Sequence, residues 1–310
     1  MALVHAAVSE AGAVRPHNED RWQAVPQAGL FVVADGMGGY HAGEIAAELA
    51  VQTACQLIPQ LLPQLPPQPL TQPRYARVAQ AGHEPLERGR QRSTGKDGFG
   101  WPAHSLGGAD VDGLLRWAHD VCNRQILEYA ADNPDCLGMG ATIASCLIRD
   151  GRLHVAHIGD SRVYLLRGGL LLRLTRDHSV GQEIADAGVL KPAQVRRLPG
   201  RGILTRALGV EEAVQSDCSS HDWRASDILL LCTDGLTDLV EDDRIRQLLL
   251  DASAAGSGAQ ARALVAAALQ AGGSDNVTVL MVSAGGSPRA RPRSTAQARL
   301  RGMKPCATRE

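Results

Sequence analysis

The sequence predicts an α+β chain built on antiparallel sheet, and three observations carry that expectation. Residues 142–149 and 153–158 are strand-like runs separated by Asp150-Gly151, a favoured hairpin pair. Residues 161–167 and 170–174 repeat the device around Gly168-Gly169. Connections this short require antiparallel pairing, because parallel strands need a long crossover. Apolar residues also recur at helical spacing, at Ile45, Leu49, Cys55 and Ile58, and again from Val111 through Leu114, Leu115, Ala118, Val121, Cys122 and Ile126. Finally, the buried-strand run Leu30-Phe31-Val32-Val33-Ala34 ends directly in Asp35-Gly36, followed by Gly38 and Gly39. An acid at the mouth of a buried strand, beside glycines that let backbone approach closely, is the stretch around which the chain is organised.

In chain order, residues 3–9 have partial strand character and Gly12 starts a polar loop, Arg15-Pro16-His17-Asn18-Glu19-Asp20. Residues 22–25 form a short strand that turns into 30–34. A helix over 43–58 is expected to stop at Pro59 and Pro63. From 59 to 112 prolines, glycines and charge crowd together without periodicity. This stretch reads as a partly disordered surface insertion, with one short helix near 75–81. A second helix covers 111–129, and the two hairpins follow. Asp177-His178-Ser179 opens a helix at 180–187 and a mobile flap through 209. Residues 228–232 are a second buried strand, 241–250 and 259–269 are helices, and 277–282 is the last strand. Residues 1–285 are expected to form one domain, and 286–310 a basic, disordered tail.

Composition narrows the class. Of the 310 residues 44% are hydrophobic but only 3% aromatic, so alanine, leucine and valine must fill most of the core. The net charge of −1 hides an asymmetry: the tail holds seven basic side chains and one acid, which leaves the body acidic. A broad nucleic-acid face on the body is not expected. No apolar run reaches 18 residues, and the N-terminus lacks a basic segment leading into an apolar one. Neither a transmembrane helix nor a secretory signal is therefore expected. The seven cysteines show no paired short spacing, which fits free thiols in a reducing cytoplasm.

The acid at a strand end recurs. Asp160 follows 153–159, Asp234-Gly235 follows 228–233, Asp275-Asn276 precedes 277–282, and Glu19-Asp20 lies near the first strands. Turns favour Asp and Gly, so each pair alone could be an ordinary strand boundary. If the strand ends converge, however, the carboxylates must protonate or share cations. Oxygen donors with no cysteine and little histidine imply Mg²⁺ or Mn²⁺, not Zn²⁺. Two such ions about 4 Å apart could activate water for attack on a phosphate, and Arg15 is the natural bidentate clamp for that phosphate.

These residues resemble the metal-dependent serine/threonine protein phosphatases of the PPM/PP2C type, in their compact bacterial form. The resemblance rests on Arg15 to Asp20, Val33 to Gly39, Gly138 to Thr142, and His157 to Arg162. It continues through Thr175 to Ser179, Leu231 to Asp238, and Gly273 to Thr278, in family order over roughly residues 3–284. It implies an α-β-β-α sandwich of two antiparallel sheets flanked by helices. Asp35 would bridge two ions, Asp234 and Asp275 would hold the first, and the Gly36 carbonyl the second. Glu19 would reach the second ion mostly through water, and Asp160 would join a weaker third ion. Asp20, Thr142 and Asn276 would support the metal shell, and Arg15 would bind phosphate. The implied reaction is direct attack of a bridging hydroxide on phosphoserine or phosphothreonine in proteins, reversing a bacterial Ser/Thr kinase. Arg196, Arg197 and Arg201 of the flap are candidates for meeting the substrate. A cytoplasmic monomer is expected.

One departure matters: Met37 stands where animal members carry a histidine, so the leaving-group proton must come from elsewhere. His41 is a weak candidate. Two rival readings keep the fold: a catalytically weak phosphopeptide-binding module, and a bimetal phosphoesterase for small phosphoesters. The cysteines match no phosphatase nucleophile loop, and Cys146 and Cys232 read as core.

Overall fold

The segments 30–34, 143–147, 229–232 and 277–282 are buried continuously, not at alternate residues, because both faces of these strands are covered. The computed structural model describes residues 2–38, 42–65 and 110–285. The expected helix at 75–81, His41, most of the 59–112 insertion and the 286–310 tail lie outside the described residues.

One sheet has the order β1 (Leu3–Glu10), β12 (Val277–Ala284), β11 (Ile228–Cys232), β8 (Arg162–Arg167) and β9 (Leu170–Arg173). The other runs β10 (Asp217–Asp222), β7 (Arg152–Ile158), β6 (Ile143–Arg149), β3 (Leu30–Ala34) and β2 (Arg21–Val25). Every pairing in both is antiparallel. Alternate residues divide the core. Phe31, Val33, Ala144 and Cys146 meet Leu229, Leu231, Leu280 and Val282 between the sheets. Leu30, Val32, Ile143 and Leu147 point the other way, onto α1 (Ala42–Leu61) and α2 (Val111–Asp132). Leu230, Cys232, Val279 and Met281 face α6 (Asp242–Asp251) and α7 (Ser257–Gln270). The result is the expected α-β-β-α sandwich.

Both hairpin turns adopt the geometry that two-residue loops demand. Asp150 and Gly151 lie at φ +50° and +73°, and Gly168 and Gly169 at +59° and +84°. In the segment after β9, α3 (Val180–Asp186) and α4 (Pro192–Val195) form the flap, and α5 (Asp234–Thr237) starts at an acid. A two-residue pair, β4 (Gly36–Met37) with β5 (Gly140–Ala141), ties the segment after Asp35 to the segment that leads into β6.

Three elements differ from expectation. Helix α1 passes through Pro59 to Leu61 before a 3-10 turn over Leu62–Gln64. Pro59 falls in the last turn, where it removes one hydrogen bond, while Ile58, Leu61 and Leu62 still pack on the core. Strand β10 has the polar sequence Asp-Cys-Ser-Ser-His-Asp and forms because β7 offers it an unpaired edge. Helix α5 is only four residues long and leaves no periodicity to read. Extended to Gln64, α1 is long and apolar enough to match a membrane span, but Ala46, Ala47, Ala50, Ala54 and Ile58 are wholly buried in this fold. Five of the cysteines, including Cys146 and Cys232, are free and buried.

A buried histidine fastens α2 to its sheet. His119 is fully enclosed, with Nδ1 2.9 Å from Ser216 Oγ and Nε2 2.8 Å from Ser145 Oγ. Burial pushes it down to about 3, below the 6.5 of an unfolded histidine. Between those values the unfolded chain takes up a proton that the folded chain refuses. His119 therefore contributes full stability above pH 6.5 and loses about 1.4 kcal/mol per unit as pH falls below it. Urea unfolding should show wild type more stable than His119→Gln at pH 7.5, with the difference shrinking or reversing at pH 4.5. An unchanged difference would contradict this role.

Candidate active site

The four strand-end acids come from interior strands, and the sandwich brings them to one end of both sheets. Asp35 leaves β3, Asp160 follows β7, Asp234 follows β11, and Asp275 precedes β12. All four line a single cleft of about 670 Å³, together with Arg15, Glu19, Gly36, Thr142 and Asn276. Asp20 lies beneath its floor, 2% exposed.

The Asp-Gly pairs are sites of close approach, not turns. A Cβ on Gly36 would stand 2.0 Å from the Gly43 carbonyl oxygen, and one on Gly235 1.9 Å from that of Asn276. Gly43, at the start of α1, likewise leaves room for the Glu19 carboxylate, whose Oε2 would lie 2.5 Å from an added Cβ. Three glycines thus let three chain segments close around the acids.

Hydrogen bonds fix the arrangement. The Asp35 N–H donates to Thr142 Oγ1 at 3.0 Å, and the Thr142 N–H donates to the Asp35 carbonyl at 2.9 Å. Asn276 Nδ2 donates to the carbonyls of Ala11 and His17, and its Oδ1 accepts from the Glu19 N–H at 2.9 Å. That side chain fastens the loop bearing Arg15 and Glu19 to the strand bearing Asp275. Thr233 Oγ1 donates to Asp20 Oδ2 at 2.8 Å and accepts from the Thr278 N–H. His178 Nδ1 accepts from the Gly159 N–H, which braces the segment before Asp160.

The electrostatics are those of crowded acids. Burial, then the Asp20, Asp234, Asp160 and Asp275 carboxylates, push Asp35 well above the usual range. Burial and Asp234 do the same to Asp160. Asp20 is pushed up to about 7 by burial, against the Thr278 and Thr233 hydroxyls that favour its ionised form. Asp234 is raised to about 6 by burial and by Asp238 and Asp275. Two buried oxygens, Asp20 Oδ1 and Asp234 Oδ1, have no hydrogen-bond partner among the described residues. Orphaned carboxylate oxygens beside mutually repelling acids are a donor set suited to hard cations. Arg15 lies half-exposed across the cleft, with its Nη2 2.7 Å from Asp275 Oδ2.

The flap arginines are placed differently. Arg196 donates to the Thr237 carbonyl at 3.0 Å, and Arg201 pairs with Asp238 at 2.9 Å. Both line a smaller neighbouring cavity of about 230 Å³ that shares Asp160 and Asp234 with the cleft. Arg197 is exposed and lines neither cavity. Sequence reasoning missed Gly43, Thr233 and the aliphatic groups Ile203 and Val210 in the wall over 202–215. Thr233 was readable as the small polar residue between a buried strand and its acid; the others had no local signal.

An α-β-β-α sandwich with a carboxylate cleft at one end of its sheets is the architecture of metal-dependent phosphohydrolases. The chain belongs to the protein phosphatase 2C family, whose profile matches residues 14–270. It is 29% identical over 277 residues to the serine/threonine phosphatase Stp of Listeria monocytogenes, covering 88% of this chain and 93% of that protein. It is 34% identical over 285 residues to the serine/threonine protein phosphatase PstP of Mycobacterium tuberculosis, covering 91% of this chain but 45% of that longer protein. The crystal structure of the PstP catalytic domain in complex with two manganese ions superposes with a TM-score of 0.69 at 31% identity, covering 91% of this chain and 98% of that one.

Alanine favours a helix over glycine by about 1 kcal/mol, so propensity alone would make Gly235→Ala in α5 stabilising. The 1.9 Å approach to the Asn276 carbonyl predicts the opposite, a loss of about 2 kcal/mol or more. A thermal melt in which Gly235→Ala matched or exceeded wild type would refute the close-packing account.

Proposed function

We propose that the chain hydrolyses phosphoserine and phosphothreonine in proteins, using two Mn²⁺ or Mg²⁺ ions held by its strand-end acids. The observation that carries this reading is the convergence of Asp35, Asp160, Asp234 and Asp275 on one cleft, with orphaned buried oxygens on Asp20 and Asp234. Asp35 would bridge the ions, Asp234 and Asp275 would complete one site, and the Gly36 carbonyl and Glu19 would face the other. Asp160, with Asp234 beside it, would hold a weaker third ion. When bound, the cations would supply a water activated for attack on phosphorus and offset charge on the phosphoryl oxygens.

The remaining roles fall to the chain's own groups. Arg15 presents a guanidinium fork at the open side of the cleft, suited to two phosphate oxygens. Its bond to Asp275 orients that fork and counters part of the acid cluster's charge. Thr142 holds the Asp35 backbone, and Asn276 holds the loop that carries Arg15 and Glu19. Asp20 is anchored by Thr233 behind the acids. The proposed substrates are phosphoprotein products of a Ser/Thr kinase, in keeping with bacterial relatives named as serine/threonine phosphatases, and the chain is proposed to act in the cytoplasm as a monomer.

Purified chain should release phosphate from a phosphothreonine peptide with Mn²⁺ and lose that activity in EDTA. Asp35→Asn and Asp234→Asn should each lower kcat/KM by about 100-fold or more while keeping wild-type circular dichroism. Turnover that persists in EDTA, or in both variants, would overturn the assignment.

A further inference from the structure

The cleft has a second wall whose chemistry differs from that of the acids. Residues 202–215 contribute to it, and its two exposed large aliphatic side chains are Ile203 and Val210, 62% and 57% exposed. Single exposed aliphatic groups are ordinary on a protein surface. These two, however, line one concave site together with Met37 and Arg15.

The backbone that presents them is fastened at several points. The Val180 N–H donates to the Ile203 carbonyl at 2.9 Å, and the Ile203 N–H donates to the Gly200 carbonyl at 3.1 Å. Ala141 and Leu208 exchange both backbone hydrogen bonds, at 3.1 and 2.9 Å. The Gly209 N–H donates to Asn123 Oδ1 at 2.7 Å, and Gly209 itself turns the chain at φ +80° just before Val210. Gly140 makes the remaining room: a Cβ there would meet Met37 Cε at 2.6 Å and Val210 Cγ2 at 3.3 Å. Ile203, Val210 and Met37 are thus presented to the cleft from fastened backbone.

The charges nearby do not favour an acidic ligand on this wall. Arg206 is engaged by Asp217 at 2.8 Å and by the Gln215 carbonyl, while Arg196 and Arg201 turn to Thr237 and Asp238. Glu211 adds a negative group to the same wall.

We propose that Ile203 and Val210, with Met37, form a specificity subsite for a bulky aliphatic side chain adjacent to the phosphorylated residue of the substrate. The subsite favours aliphatic over acidic neighbours, and it rests on the phosphatase reading above. Continuity with the catalytic cleft identifies the occupant. A peptide whose phosphate lies between Arg15 and the acids must run its neighbouring residues along the facing wall.

The test is kcat/KM with Mn²⁺ for phosphothreonine peptides identical except for Leu, Ala or Glu immediately before or after the phosphothreonine. Wild type should prefer Leu to Glu by about tenfold on at least one side. Ile203→Ser and Val210→Ser should each lower that ratio by about threefold, and the double variant should bring it near one. Leu170→Ser, an equally exposed change on edge strand β9, should keep the wild-type ratio. Equal hydrolysis of all the peptides by wild type, or an undiminished ratio in the double variant, defeats the subsite and leaves the phosphatase reading intact. If folded protein hydrolyses none of them with Mn²⁺, the phosphatase reading fails and the subsite with it.

Discussion

Four aspartates from four interior strands are driven together at the shared end of two sheets, and the site is built to hold that repulsion in place. Burial and mutual proximity raise Asp35 and Asp160 far above ordinary carboxyls and bring Asp234 and Asp20 to about 6 and 7. At neutral pH such a cluster opposes folding unless protons or cations offset it. The surrounding sandwich has the burial to sustain the cost. Its core has three layers, one between the inner faces of the sheets, one under α1 and α2, and one under α6 and α7.

Small residues convert that strained cluster into a fixed geometry. Gly36, Gly43 and Gly235 allow backbone contacts that any side chain would block. Thr142, Thr233 and Asn276 then tie the acids' own backbone and side chains across strands distant in sequence. The same economy explains the scarcity of aromatics. Alanines at 46, 47, 50 and 54 keep α1 close to its neighbours, and large rings would hold the layers apart.

Much of this was legible before any coordinates. The hairpins at Asp150-Gly151 and Gly168-Gly169 declare themselves through turn chemistry, and the interior strands through mostly apolar runs. The acids are readable because each lies within two residues of such a run. Strand β10 was not legible: Asp217 to Asp222 carries no apolar pattern, and only the open edge of β7 makes it a strand. Pro59 misled in the other direction, since packing of Ile58 and Leu61 outweighs one lost hydrogen bond. The flap read as a charged, mobile loop because Arg196, Arg197, Arg201 and Arg206 dominate its sequence. Three of those arginines are tied to neighbouring groups, and Ile203, Leu204 and Ala207 of the flap line the cleft.

The central claim is that cations relieve the buried acids, and the most direct measurement is the rise in melting temperature on adding Mn²⁺ as a function of pH. Asp20 and Asp234 titrate above the 3.8 of an ordinary aspartate, so the folded chain retains protons there that the unfolded chain has lost. Without a cation their contribution to stability falls as pH rises toward 7. A cation must displace those protons, so its stabilising effect grows over the same range. Melts in EDTA and in Mn²⁺ should differ little at pH 5 and by many degrees at pH 7.5. An equal increment at both values, or none at pH 7.5, would contradict the account.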